Sequence, residues 1–152
     1  MDSVIQDISQ EESQRRDALV GRLFQSVLEA QDLFHIYLGS QLGLYDALRA
    51  QAWATSAELA EAAQLSERYV REWLEQQAVS GLLDVEDVGA DAHTRRYTLS
   101  SGHAEVLLSQ DSLNYAVPLV RMIVSLASQL KAVAHAFRQG GGVPYSVTCA
   151  CI

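Results

Sequence analysis

The sequence has only two cysteines in 152 residues, and Cys149 and Cys151 both lie among its last four positions. Two thiols cannot form the disulfide framework that stabilises small secreted domains. The C-x-C spacing has no second pair of ligands, so it is weak evidence for a metal site. The last four residues also match a prenylation pattern very loosely, with nothing else in the sequence to support lipidation. We therefore expect neither a disulfide scaffold nor a metal or lipid site from the cysteines.

Long hydrophobic runs are missing as well. No apolar run approaches the ~20 residues that a membrane-spanning helix needs. The first ten residues lack the basic start and apolar centre of a signal peptide. We therefore expect no membrane segment and a cytoplasmic location. The length suits one domain with a hydrophobic core, but not two full domains.

Positive charge is scarce, and so are catalytic patterns. Eleven Lys and Arg stand against 19 Asp and Glu, which gives a formal net charge of -8 and disfavours binding to nucleic acid or anionic membranes. The four histidines are far apart and have no partner at metal-ligand spacing; they are His35, His93, His103 and His135. Gly140, Gly141 and Gly142 follow a predicted helix rather than a strand, so they do not form a phosphate loop. We expect no catalytic, cofactor-binding or metal-binding residues in this chain.

What the sequence does contain is a pattern for two short helices joined by a tight turn, beginning at Thr55. Thr55 is a predicted N-cap, and Glu58 stands where the carboxylate of a capping box would be. Ser66 is the predicted cap of the second helix, and Gly81 ends it. The second helix has an apolar face at helical spacing, formed by Tyr69, Val70, Trp73, Leu74 and Gln77 or Ala78.

A two-stranded wing is predicted to follow the second helix. Leu82 to Val88 is the first strand of that wing, and Tyr97 and Leu99 alternate with polar residues in its return partner. The loop from Glu86 to Thr94 contains a glycine and two aspartates, as expected at a wing tip. The predicted fold class is therefore mainly α, with a winged helix-turn-helix, a small wing and long flanking helices.

The flanking helix before the winged unit is apolar on much of its surface. The pattern is helical from about Ser13 to Leu42, and it carries a coiled-coil-like seam. The seam residues are Val20, Leu23, Val27, Ala30, Phe34 and Tyr37. A helix with so wide an apolar surface needs cover on more than one side. A second copy of the chain or packing within the chain could supply that cover. Gly39 and Gly43 predict a break before a short helix from about Leu44 to Ala50.

The segment after the wing predicts a short helix from His103 to Leu108 and then one long helix ending near Arg138. Pro118 lies early in the long helix, where proline is tolerated. Its apolar positions are Leu119, Met122 or Ile123, Leu126, Leu130, Val133 and Phe137. These positions are typical of a helix that packs on a core, and the glycine run from Gly140 ends it.

A winged helix-turn-helix invites a DNA-binding interpretation, in which the second helix enters the major groove. Between Thr55 and Ser100 the sequence has nine acidic residues against four arginines, so most of this surface would repel phosphate. The four arginines available for DNA are Arg68, Arg71, Arg95 and Arg96. Arg68 and Arg71 could instead pair with Glu72 and Glu75 one turn later on the helix.

Several segments, in order, resemble the N-terminal winged-helix domain of bacterial two-domain class I SAM-dependent methyltransferases, similar to small-molecule O-methyltransferases. They are Leu42-Gly-Leu-Tyr-Asp-Ala-Leu, Thr55-Ser-Ala-Glu-Leu-Ala, Ser66-Glu-Arg-Tyr-Val-Arg-Glu-Trp-Leu-Glu, Ser80-Gly-Leu-Leu and Arg96-Tyr-Thr-Leu. Phe137-Arg-Gln-Gly-Gly-Gly-Val-Pro-Tyr145 resembles the segment that leads to the catalytic domain in that family. The resemblance extends from about Leu23 to Tyr145, and the combination is specific although each segment alone is weak.

The resemblance implies a homodimer formed through the N-terminal helices and a lid over the substrate pocket. It suggests Leu23, Val27, Phe34 and Tyr37 for the dimer interface, and Met122, Leu126 and Tyr145 for the lid. The sequence and the resemblance together predict a flexible N-terminus (1–14), dimerisation helices (15–53), a winged helix (54–100), C-terminal helices (101–139) and a linker with an atypical tail (140–152).

The resemblance ends before the catalytic domain, which would hold SAM in the intact family enzyme. We therefore expect this chain alone neither to bind SAM tightly nor to transfer methyl groups. A methyl acceptor would be bound only together with the catalytic domain. A stand-alone transcription regulator that binds DNA is the alternative, and a partner that dimerises with a full-length paralogue is a third hypothesis.

Overall fold

The computed structural model describes residues 9–144, and this part of the chain contains seven helices and two short strands. The helices are α1 (Gln10–Gln41), α2 (Leu44–Arg49), α3 (Ser56–Ala63), α4 (Glu67–Val79), α5 (Ser101–Leu108), α6 (Val117–Ser128) and α7 (Leu130–Gln139). The strands are β1 (Asp84–Val85) and β2 (Tyr97–Thr98), which pair antiparallel. The predicted fold class, mainly α with a winged helix-turn-helix, is confirmed. The chain divides into two compact units at Gln31 and Asp32.

The first unit consists of the part of α1 before Asp32. The helix begins at Gln10, earlier than the predicted start near Ser13. None of the described residues in this unit is buried. Its large exposed apolar residues are Leu19, Val20, Leu23, Phe24, Val27 and Leu28. Its ion pairs, such as Arg15 with Glu12 at 3.2 Å, are local and solvent-exposed, so they contribute little to stability.

The second unit contains the winged helix, and its two central helices begin in different ways. The hydroxyl of Thr55 accepts a hydrogen bond from the amide of Glu58, whose carboxylate accepts one from the amide of Thr55, so the predicted capping box is confirmed. Ser66 occupies the N-cap position of α4, but its side chain makes no capping hydrogen bond. Instead, Ser56 at the start of α3 donates to the carboxylate of Glu67 at 2.6 Å and ties the two helix starts together.

Gly81 ends α4 as the sequence predicts. Its φ of 73° is left-handed, a conformation that glycine adopts without strain. The amide of Gly81 donates to the carbonyl of Ala78 at 3.0 Å, and the amide of Leu82 donates to that of Gln77 at 2.9 Å. This pair of bonds is a Schellman motif, which satisfies the last carbonyls of the helix and turns the chain into the wing.

The wing is shorter than predicted. Only Asp84–Val85 and Tyr97–Thr98 pair, in a register that places Val85 opposite Tyr97. The prediction that the first strand reaches Val88 is wrong, because the chain turns at Asp87 and leaves Val88 exposed in the loop. Ala54 forms a further bridge to Tyr97 through two backbone hydrogen bonds of 2.9 and 3.0 Å. The wing is therefore attached to the segment that precedes α3.

The hydrophobic core lies among α2, α3, α4, the wing and α5. Its fully buried large side chains include Tyr45, Leu48, Leu59, Leu74 and Tyr97. α5 begins at a capped serine, because the side chain of Ser100 accepts a hydrogen bond from the amide of His103. The core therefore fixes α4 and the wing in one position.

The predicted break before Leu44 is confirmed, but Gly39 takes no part in it. α1 continues through Gly39, which is buried beneath Trp73 and Tyr45, and ends at Gln41. The turn instead uses Gly43, which is left-handed and precedes α2. Gly39 thus allows the rings of Trp73 and Tyr45 to pack closely against α1, and it does not bend the helix.

The single long helix predicted after Pro118 is also wrong. The structure has two helices, α6 and α7, which are bent by 53° at Gln129. The hydroxyl of Ser128 donates to the carbonyl of Ser125 at 2.7 Å, and this kind of back-bonding bends helices. No described helix alone has the length and hydropathy to cross a membrane, although α6 and α7 meet those criteria as a bent pair.

Candidate functional site

The inner face of α4 is fixed to the core by polar as well as apolar contacts. Val70, Trp73, Leu74 and Gln77 are buried on this face. The hydroxyl of Tyr45 donates to the side-chain oxygen of Gln77. Gln77 in turn donates to the side-chain oxygen of Gln76 at 2.6 Å. Burial raises the pKa of Tyr45 well above its ordinary value, because the charged phenolate would be poorly solvated there.

Trp73 links α4 to the last part of α1. Its ring packs edge-on against that of Tyr45, with centroids 5.1 Å apart. Its indole nitrogen donates to the carbonyl of His35 at 2.9 Å. On the same side, the side chain of Gln76 donates to Asp32 at 2.7 Å. These contacts hold α4 against residues 32–41 of α1.

The DNA-binding candidate Arg71 is occupied within the winged unit. Its guanidinium lies 3.4 Å from the carboxylate of Glu67 and 2.7 Å from a ring nitrogen of His93 in the wing loop. Only 21% of its side chain is exposed. The predicted ion pair with Glu75 is wrong, because Glu67 is the carboxylate that Arg71 meets and Glu75 is engaged elsewhere.

Arg95 is the partner that occupies Glu75. One nitrogen of Arg95 lies 2.6 and 2.7 Å from the two carboxylate oxygens of Glu75. Its other terminal nitrogen donates to the carbonyls of Val88 and Ala90 in the wing loop. The hydroxyl of Tyr97 donates to the same carboxylate at 2.8 Å, and burial raises the pKa of Tyr97 to about 12. Arg95 therefore anchors the wing to α4 instead of reaching outward.

The other two arginines differ from each other. Arg96 donates to the carbonyl of Trp53 at 3.2 Å and lies 3.5 Å from the carboxylate of Glu86. Arg68 is exposed on α4, and within residues 9–144 it forms no ion pair; the predicted pair with Glu72 is wrong. The four arginines are therefore not gathered into one basic surface by the fold.

A groove of about 540 Å³ lies between α4 and the end of α1. We call it the α4 groove. Val70, Trp73 and Leu44 are its buried floor, and Leu38 and Leu42 are exposed at its rim. Its other lining residues are His35, Leu65, Ser66, Tyr69, Glu72 and Gln76. Its size is in the range of small-molecule sites, and its lining is mainly apolar.

Tyr69 is the functional candidate that the sequence reasoning missed. The helical pattern placed it on the apolar face of α4, but 75% of it is exposed, at the edge of the groove. Val70, Trp73, Leu74 and Gln77 already complete the buried stripe. A large aromatic residue next to an apolar stripe that already fills the buried face of the helix is the sequence signal that could have identified Tyr69.

The candidates for dimerisation and for the lid lie on separate elements. Leu23 and Val27 are 55% and 57% exposed in the first unit. Phe34 is exposed and Tyr37 partly buried in the second unit. Met122 and Leu126 are exposed on α6, while Tyr145 lies outside the described residues. These assignments stay predictions.

Metal chemistry has no candidate cluster in the part of the chain that the structure describes. Within residues 9–144, no group of three or more His, Asp or Glu side chains is arranged to hold an ion. Cys149 and Cys151 lie outside these residues.

A family model described as the Rv2258c-like winged HTH domain matches residues 32–109, just over half of the chain. The chain belongs to this family. The match covers α2 to α5 together with the end of α1, so the winged helix-turn-helix recognised in the sequence is confirmed. No curated protein matches the sequence closely enough to count as a relative.

Solved structures are similar to this chain at low sequence identity, and that of PigF shares its fold. A structure of PigF with SAH is 21% identical, with a TM-score of 0.53 over 84% of this chain and 34% of that chain. Human N-acetylserotonin methyltransferase in complex with SAM is 19% identical, with a TM-score of 0.47 over 83% and 36%. BpsR from Bordetella bronchiseptica, whose DNA binding is regulated by 6-hydroxynicotinic acid, is 18% identical, with a TM-score of 0.41 over 82% and 93%. This chain spans about a third of the length of the first two.

Proposed function

We propose that this chain is the N-terminal winged-helix domain of a SAM-dependent methyltransferase, where it serves in dimerisation and as a lid over the substrate. The observation that carries the proposal is that arginines on the winged unit are paired with glutamates of the same unit. Arg71 and Arg95 are paired with Glu67 and Glu75, and the wing loop itself is acidic. A surface arranged in this way opposes phosphate contact, so it suits a protein-binding role better than DNA binding.

The exposed apolar surfaces support the two parts of this role. Residues 9–31 expose six large apolar side chains, and an isolated helix with such a surface gains free energy by pairing with another copy. α6 exposes Met122, Ile123 and Leu126, which could cover an apolar methyl acceptor. The alternative, a regulator that binds DNA, is favoured only by the exposed guanidinium of Arg68.

The residues that the structure describes do not fit SAM. A SAM site of the class I type needs a strand, a glycine-rich turn and a helix in succession. Within residues 9–144 the only strands are the two of the wing, and the loop between them opens no helix. In our proposal SAM is held elsewhere in the whole enzyme, and this chain contributes only to dimerisation and substrate enclosure.

DNA binding is the property that separates the two functions. We expect fluorescence anisotropy with a random-sequence duplex pool to show no binding tighter than roughly 10⁻⁴ M near physiological salt, weaker than most nonspecific DNA binders. The same titration at low salt would reveal electrostatic contacts, and Arg68→Ala is the variant to compare. Submicromolar affinity that falls steeply with salt and weakens in Arg68→Ala would overturn the proposal in favour of the regulator.

Dimerisation has its own test, because the proposed interface lies on α1. We expect sedimentation equilibrium to show a dimer whose dissociation constant rises by about 100-fold or more in Leu23→Glu/Val27→Glu, since each buried aliphatic side chain contributes about 1.5–3 kcal/mol. Gln14→Glu/Gln25→Glu adds the same two negative charges to the same helix and serves as the control. A monomeric parent chain, or an unchanged dimer in the Leu23 and Val27 variant, would contradict the prediction.

A further inference from the structure

The α4 groove has a charge pattern that none of the functions above explains. Among the described residues that line it, none is lysine or arginine, and His35 is the only one with a basic side chain. Glu72 lies at its edge, is exposed, and forms no hydrogen bond or ion pair with any described residue. An unpaired carboxylate at the edge of an apolar cleft whose lining has no lysine or arginine favours a ligand that brings its own positive charge.

The aromatic residues of the groove are placed to receive the same kind of ligand. Tyr69 and Glu72 are three residues apart on α4, so their side chains are neighbours on the helix surface. The exposed Tyr69 ring is accessible to a cation, which is attracted to the face of an aromatic ring. The floor formed by Leu44, Val70 and Trp73 is apolar and buried, and it suits a flat hydrocarbon body.

We propose that the α4 groove binds a small aromatic cation, with its rings against Val70 and Trp73 and its charged group between Tyr69 and Glu72. The volume of about 540 Å³ can hold a ligand of two fused rings. The site belongs to the winged unit itself. It therefore does not depend on whether the chain serves a methyltransferase or a regulator, and a failure of either function would leave it unaffected.

Isothermal titration calorimetry with three matched probes tests the proposal on the full chain. The probes share a naphthyl body and differ in charge: naphthylmethylamine is a cation at neutral pH, naphthylmethanol is neutral and naphthoate is an anion. We expect naphthylmethylamine to bind with a Kd of roughly 0.1–1 mM. The neutral probe should bind about three- to fivefold more weakly, and the anion more weakly still, because a surface charge pair contributes up to about 1 kcal/mol.

Two variants locate the binding in the groove. Glu72→Gln should weaken the cation about three- to fivefold and leave the neutral probe unchanged. Tyr69→Ala should weaken the cation by about two- to fivefold, and its exposed position makes loss of the fold a minor risk. Glu61→Gln is the matched control, because it removes the same charge from the neighbouring helix α3 and does not line the groove.

Several results would overturn the proposal. They are equal binding of the cation and the anion, no binding of the cation at millimolar concentration, and equal losses in Glu72→Gln and Glu61→Gln. If the cation does not bind and Tyr69→Ala shifts the sedimentation equilibrium toward monomer, a second copy of the chain occupies the groove instead.

Discussion

Replacing Gly39 with alanine is expected to lower the free energy of unfolding by about 2–3 kcal/mol, more than most single methyl additions. A Cβ at this position would lie 2.5 Å from Cζ2 of Trp73 and 2.6 Å from Cε2 of Tyr45. Both rings are buried, and they pack against each other, so neither can move without disturbing the other. The overpacking should outweigh the ~1 kcal/mol that alanine gains over glycine in a helix.

Gly21→Ala is the matched control on the same helix. Apart from the adjoining residues and the backbone of the helix itself, a Cβ there would have no described atom within 4 Å, so only the helix propensity changes. We expect this variant to be as stable as the parent or more stable by up to about 1 kcal/mol. The two substitutions are chemically identical, and their opposite signs would isolate the effect of the rings.

Chemical denaturation followed by tryptophan fluorescence gives the free energy of unfolding of both variants, and thermal denaturation gives their melting temperatures. The protein concentration must be held constant, because dimerisation would add to apparent stability. We expect the melting temperature of Gly39→Ala to fall by roughly 5–10 °C. A Gly39→Ala variant as stable as Gly21→Ala would show that the end of α1 does not pack on Trp73 and Tyr45 as described.

Replacing Gln77 with leucine is expected to cost about 1–3 kcal/mol, although leucine is the more apolar residue. Gln77 is fully buried, and its side-chain oxygen accepts the hydroxyl proton of Tyr45. Leucine would leave the Tyr45 hydroxyl buried without a partner, and such a group carries its full desolvation penalty. The cost therefore arises from the unpaired hydroxyl of Tyr45 rather than from the loss of Gln77 itself.

A double-mutant cycle makes this explanation testable. Tyr45→Phe removes the stranded hydroxyl, so Tyr45→Phe/Gln77→Leu should be more stable than Gln77→Leu alone by about 1 kcal/mol. Leu74→Met is a useful control for general disturbance of α4, because it conserves volume and should cost less than about 1.5 kcal/mol. Additive losses in the two single variants would show that the bond between Tyr45 and Gln77 does not contribute.

The winged unit could be recognised from the sequence because its signals are local. The capping box of Thr55 and Glu58 needs only four residues, and the left-handed turn at Gly81 needs only a residue without a side chain. The strand at Leu82 was predicted too long because Val88 has the right residue type but no pairing partner. Strand pairing depends on where the partner strand lies, and the alternation of apolar and polar residues along one strand does not show this.

The arginines and the groove required the tertiary structure. Helical spacing offered Arg71 two carboxylates at equal separation along α4, Glu67 four residues earlier and Glu75 four residues later, and spacing alone does not choose between them. The wing, about 20 residues further along the chain, brings Arg95 to Glu75 and leaves Glu67 and His93 to Arg71. The exposure of Tyr69 depends in the same way on which part of α4 the core covers.

The sequence by itself determined the fold class, the ends of α3 and α4 and the acidic character of the winged unit. Each of these depends on residues close together in the chain or on composition alone. Only the tertiary structure decided that Gly39 is a packing site rather than a break, that α6 and α7 are separate helices, and that a groove with an unpaired Glu72 lies beside α4. The physical reason is that side chains distant in sequence compete for the same space and the same charges, and only the folded chain shows which of them meet.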